Sequence, residues 1–202
     1  MGVAALLAAP AAVMPPAFAA AQTGWKTVYD HSNQISMTVP SGWTVQSPSG
    51  NVTLQATGPA PAAGALPDTV DAVIHGALAG MTARSCINEA QWIGQHFGHI
   101  NSTTVSAGPA TVGGLPAYAR VYTWKTSKSE PRWSRQQCVV KNGTVYVVTA
   151  TTENAAPGLA NRQAVLERIM SSFDIVSGPA SRTPPAGNPI PANGGTGGQG
   201  GH

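Results

Sequence analysis

An α+β fold, an antiparallel sheet flanked by helices, follows from three features of this 202-residue chain. Val- and Thr-rich segments dominate its middle. Consecutive segments are joined at Gly113-Gly114 and Asn142-Gly143, the second a strong two-residue hairpin signal. Helical periodicity is confined to a few stretches and does not alternate regularly with strands, which excludes a doubly wound parallel sheet.

The elements read in order as follows. Thr27 to Val39 alternates loosely, with Val28, Ile35, Met37 and Val39 as strand-like apolar positions. Pro40-Ser41-Gly42 turns into a second strand from Trp43 to Val45, and Val52 to Ala56 makes a third. After the Gly/Pro-rich stretch from Gly58 to Pro67, Asp68 is expected to cap a helix. Val70, Ile74, Leu78 and Met81 would share one face of it, with Asp71 near its start. A second helix places Cys86, Ala90, Ile93 and Phe97 on one stripe. Strands follow over Thr103 to Ala107 with Ala110 to Val112, Ala117 to Lys125, Arg132 to Lys141 and Thr144 to Thr152. A last helix carries Leu159, Leu166, Ile169, Met170 and Phe173 on one side, and Ile175-Val176 closes the domain.

The ends differ from this middle. Residues 1–19 are uncharged and apolar and finish in Ala17-Phe18-Ala19, the small-x-small pattern of signal peptidase, with cleavage expected before Ala20. No basic residue precedes the apolar run, as a start assigned too far downstream would explain. Residues 178–202 are rich in Gly and Pro, with one Ile and no aromatic, too little to offset the entropy of ordering, so a disordered tail is expected. The domain therefore spans 25–177. No later apolar run reaches the eighteen residues that a membrane helix needs, and the protein is expected to be secreted or extracytoplasmic. Charged residues are only 9% of the chain, so neutral Ser, Thr, Asn and Gln supply the polar surface. A net charge of +3 is no nucleic-acid signature.

Few residues are arranged for chemistry. No Gly-x-Ser-x-Gly, phosphate-cradling loop or paired acid motif stands out, and no catalytic residue or cofactor is nominated. His96 and His99 lack the further ligands of a zinc site, so no metal is expected. Cys86 and Cys138 are the only cysteines. In an exported chain they suggest a disulfide closing a loop of about fifty residues, worth roughly 4 kcal/mol; two buried free thiols are the alternative. The strongest constellation lies between Arg120 and Lys141, where six of the eleven basic residues meet a single acid, Glu130. Arg120, Tyr122 and Trp124 share one strand face by period two, and Trp133 and Arg135 share a face of the next. With Lys125 and Arg132 they form a basic-aromatic hairpin suited to a protein or an anionic envelope polymer. The competing reading is a solvated sheet face with Arg stems over rings.

Several motifs resemble the PsbP-like family, which includes DcrB-type bacterial envelope proteins. They are Val39-Pro40-Ser41-Gly42-Trp43 between two strands, Val112-Gly113-Gly114-Leu115-Pro116-Ala117 before a long strand, the Asn142-Gly143 hairpin into Tyr146-Val147-Val148-Thr149, and Ser171-Ser172-Phe173-Asp174-Ile175. The resemblance covers roughly Thr27 to Val176. It implies a PsbP-like sandwich with no catalytic set to carry over, a non-enzymatic binding or accessory role, and Trp43 and Phe173 as core. A structural or assembly protein with a spacer tail, or a small hydrolase without recognisable residues, are the alternatives.

Overall fold

A computed structural model describes residues 24–47, 52–61, 64–155 and 158–176. The signal-peptide and tail assignments fall outside the described residues. The chain runs β1 (Trp25–Asp30), β2 (Ile35–Pro40), β3 (Thr44–Gln46), β4 (Leu54–Thr57), β5 (Thr69–Gly76), α1 (Ala83–Phe97), β6 (Ile100–Val112), β7 (Leu115–Lys125), β8 (Pro131–Lys141), β9 (Thr144–Glu153), α2 (Leu159–Ser171) and β10 (Asp174–Ile175). The architecture is α+β. A seven-stranded antiparallel sheet has the order β3-β4-β5-β9-β8-β7-β6, and a small sheet has the order β1-β2-β10.

The hairpin signals hold locally. Asn142 and Gly143 both have positive φ, 51° and 73°, the pair that a type I′ turn requires. They lead β8 back into β9 from Lys141 opposite Thr144. Gly113-Gly114 does the same between β6 and β7, with Val112 opposite Leu115.

One element is corrected. Thr69–Gly76 is a strand, not the helix expected after Asp68. Val70, Ala72 and Ile74 also satisfy a period of two, and the β-branched content of Thr69, Val70, Val73 and Ile74 favours a strand. Pairing with β4 on one side and β9 on the other settles the ambiguity. Asp68 is consequently no helix cap. It lies buried just before β5, where its carboxylate accepts hydrogen bonds of 3.0 and 3.1 Å from Nε of Arg162 on α2. Likewise, Thr103–Ala107 and Ala110–Val112 merge into one strand, β6, which accommodates two register shifts in its first half.

The main core lies between one face of the large sheet, α2 and β2. Leu54, Ala56, Val70, Ala72, Trp133, Val139, Val148 and Ala150 face Leu166, Ile169, Met170 and Phe173, with Ile35, Met37 and Val39 completing the layer. Trp43 and Phe173 are core, as expected, at 3% and 1% exposure. The indole of Trp43 fits against Gly58, where a Cβ would meet the ring at 2.9 Å. The second helix, α1, lies over β6, β7 and β8 on the opposite face. A Thr82–Ser85 capping box starts it. A smaller cluster of Cys86, Ile87, Cys138, Val145 and Val147 holds it down. The sulfurs of Cys86 and Cys138 are at bonding distance, with Cα atoms 6.4 Å apart, inside the range that a disulfide spans. Among the described residues no helix is long and apolar enough to cross a membrane.

Candidate functional site

Strand register decides which of the sequence-nominated residues can act together. Trp124 stands opposite Arg132, whereas Thr123 stands opposite Trp133 and Val121 opposite Arg135. Side chains alternate between faces along a strand, so Trp124 and Trp133 project from opposite faces of the sheet. The single basic-aromatic patch expected around the hairpin therefore does not form. Trp133 is a core residue at 8% exposure, and Arg135 pairs with Glu167 of α2. On the other face Arg120 and Tyr122 are buried at 2% and 0%, and Arg132 is buried and paired with Glu130 at 3.2 Å. Of the seven nominated residues, Lys125 is exposed, and Trp124 and Arg135 are half-buried. Alternation along each strand follows from the sequence, but the offset between neighbouring strands is set by their pairing.

The same register assembles a different feature. Gln46, Gln55, Asp71, Thr149, Gln136 and Arg120 occupy consecutive cross-strand positions from β3 to β7. They form a row across six strands, about 24 Å at the usual strand spacing. Gln46 donates to Gln55 (3.0 Å), Gln55 to Asp71 (2.7 Å), Gln136 to Thr149 (3.0 Å) and Arg120 to Gln136 (3.3 Å). A parallel row holds Thr44, Thr57, Thr69, Thr151, Ser134 and Tyr122. There Ser134 and Thr151 share a hydrogen bond of 2.9 Å, and the Trp124 indole N–H donates to Ser134 at 2.9 Å. From β3 towards β7 the rows pass from exposed (Thr44, Gln46) through half-buried (Gln55, Asp71, Thr149, Thr151) to buried. The result is a polar floor that descends beneath α1.

At its deep end the electrostatics are unusual. The Arg120 guanidinium packs 4.0 Å from the centre of the Tyr122 ring and, among the described residues, faces no carboxylate within ion-pair reach. Nη1 of Arg120, the Tyr122 hydroxyl and Nδ1 of His99 are buried without hydrogen-bond partners among the described residues. Burial holds the Tyr122 phenol above its usual range, with Arg120 opposing. Burial, and then the charge of Arg120, hold the His99 imidazole below its ordinary value, so the ring is neutral at pH 7. His99 stacks on Trp124 with ring centres 3.8 Å apart, while His96 stacks on Trp92. The two histidines thus turn to different partners. No group of three potential metal ligands occurs among the described residues. At mid-row, burial lifts the Asp71 carboxyl above its ordinary range, only partly countered by hydrogen bonds with Gln55 and Thr69.

These rows were missed from sequence, although part of their signal is present. In β9, Thr149 and Thr151 alternate with Val148 and Ala150, whereas in β8 the run Ser134 to Gln137 is polar throughout and gives no period. Polar residues at period two mark a face that water or a ligand covers.

No family model matches the chain. No curated protein matches it either. Solved structures do, at low identity. The cyanobacterial PsbP (CyanoP) from Synechocystis aligns with a TM-score of 0.56 at 11% identity, covering 84% of this chain and 98% of its own. LpqN, described as involved in cell envelope biogenesis of Mycobacterium tuberculosis, aligns with a TM-score of 0.54 at 16% identity, over 76% of this chain and 91% of its own. The Saccharomyces cerevisiae Ran-binding protein Mog1p aligns with a TM-score of 0.53 at 10% identity, over 76% and 96%. The likeness shows that the fold is PsbP-like.

Proposed function

We propose that this protein is an extracytoplasmic, non-enzymatic binding module that holds a hydroxyl-rich envelope polymer along the polar rows of its large sheet, with Trp124 at their border. The observation that carries the reading is the row from Gln46 to Arg120, whose side chains are largely held in place by bonds to one another. Amides and hydroxyls both donate and accept, which matches a polyol, and groups fixed before binding lose little entropy on contact. An anionic polymer is less favoured than the sequence suggested. Arg132 and Arg135 are already paired and Arg120 is buried, so the arginines offer the rows little free charge, and the exposed Lys125 and Lys128 stand at the turn beyond them.

The disulfide-distance cysteines and the apolar start of the chain support a location outside the cytoplasm. In that setting the leader is removed and the exported protein begins at Ala20, which N-terminal sequencing of secreted material checks. A role for the LpqN-like fold in the envelope fits the same setting, whereas the Ran-binding of Mog1p offers a protein partner as the competing reading.

Affinity electrophoresis through gels containing purified envelope polysaccharide tests the polymer reading. Retardation is expected for the wild type, and the pair Gln55→Leu with Thr149→Val, at half-buried positions, should abolish it while sparing the fold. Unretarded wild type, with a specific protein recovered by pull-down that the same pair of changes releases, would turn the rows over to a protein partner.

A further inference from the structure

The helical stripe that should bury Cys86, Ala90, Ile93 and Phe97 is buried only at its start. Cys86 and Ile87 are covered, but Trp92, Ile93 and Phe97 are 55%, 38% and 79% exposed, and Ile100 just beyond the helix is 46% exposed. Four of the nine exposed large apolar side chains among the described residues thus fall within nine positions of chain. Ile93 and Phe97, four apart, share one side of α1 and Trp92 lies on another, so apolar groups surround the last two turns of the helix and make its whole end, not one face, the candidate interaction site. Phe97 is the last residue of α1, followed by Gly98, and its ring stands largely uncovered at the end of the helix. His96 stacks on Trp92 at 4.1 Å between centres and orients the indole.

The charges beside this tip decide what it fits. Ile100 stands opposite Lys125, which places the β7–β8 turn next to the end of α1. Lys125 and Lys128 of that region are exposed and form no ion pair among the described residues. The acids at this end, Glu130 and Glu153, both flank Arg132: the first is bonded to it and the second is its cross-strand neighbour. The tip therefore offers protruding aromatic and aliphatic groups rimmed by free cations. A protein partner would need a matching concavity, whereas a lipid surface accepts protruding rings at its interface and, when anionic, attracts the lysines.

We infer that the end of α1, with Ile100 and the lysines of the β7–β8 turn, is a docking tip for an anionic membrane surface, with Trp92 and Phe97 entering the interface. The residues are separate from the polar rows, so this contact and polymer binding stand or fall independently.

Co-sedimentation of the full chain with vesicles is the test. One set is phosphatidylcholine alone and the other is phosphatidylcholine mixed with phosphatidylglycerol. Binding is expected to the anionic set and to weaken with added salt. Trp92→Ala and Phe97→Ala should each lower the partition roughly tenfold, and each reversal, Lys125→Glu or Lys128→Glu, at least about fivefold. All four positions are exposed, and unchanged far-ultraviolet circular dichroism shows that the fold survives. Three results would overturn the inference: no co-sedimentation of wild type with anionic vesicles at low salt, equal binding by the ring variants, or a concentration-dependent dimer that Trp92→Ala and Phe97→Ala dissolve. The last would assign the tip to a second copy of the chain.

Discussion

The two faces of the seven-stranded sheet hold their helices by different means. On one face α2 buries Arg162, Leu166, Ile169 and Met170, and Phe173 follows directly behind. On the other, α1 buries only Cys86 and Ile87 and leaves its second half over polar ground. Apolar area secures the first helix and a covalent link the second. A sheet face released from packing a helix along its whole length is free to carry hydroxyls and amides, and β5, β8 and β9 use it so.

The largest effect expected from this contrast comes from the core face. Phe173→Ala removes a ring at 1% exposure and should cost about 3–5 kcal/mol, read as a lowered midpoint in urea unfolding. A cost below about 1 kcal/mol would mean that α2 is not held as described. Next comes the link on the other face. Replacing Cys86 and Cys138 together with Ala should cost about 2–4 kcal/mol. Its distribution matters more than its size: hydrogen exchange should accelerate across Ala83–Phe97 and stay slow across Leu159–Ser171. Equal acceleration in both helices would dissolve the distinction between the faces.

Smaller effects probe the polar rows. Thr149→Val keeps the shape of the side chain but leaves the amide of Gln136 without its acceptor, a loss of about 1 kcal/mol measurable by thermal unfolding. Asp71→Asn should act in the opposite direction. A carboxyl whose pKa is raised by folding contributes most when protonated, below its ordinary value of 3.8, and that contribution is lost as the pH rises through the raised value. Removing the charge therefore raises the melting temperature at pH 7, and the gain shrinks as the pH falls through the raised value and levels off below 3.8. A gain independent of pH would detach it from the titration of Asp71.

How much of this was readable in the chain depended on distance along it. Hairpins encoded by adjacent residues, such as Asn142-Gly143, appear where they were expected. The cysteines could pair only with each other. What failed needed information from elsewhere in the fold. Val70 and Ile74 fit both a helix and a strand, and only β4 and β9 on either side decide between them. The stripe through Ile93 and Phe97 is genuine amphipathicity, yet periodicity does not say whether the sheet beneath continues that far. Trp124 and Trp133 looked like neighbours because each alternates correctly along its own strand. A cross-strand offset of one position put them on opposite sides.

The small sheet carries a kinetic consequence. Strands β6 to β9 pair with their neighbours along the chain through short turns, so their contacts close small loops. By contrast, β10 pairs with β2 between Ile175 and Ile35, and Arg162 reaches back 94 positions to Asp68. Loop closure over such separations is slow and is rewarded only once both partners exist. Refolding is therefore expected to begin in the β6–β9 meander and to finish when β10 docks on β2. Pulse-labelled hydrogen exchange would record this as protection of Val139 and Val148 before that of Ile35 and Ile175. A chain emerging from a translocation pore leading end first would hold its β1–β2 hairpin without the third strand of the small sheet until residue 175 had followed.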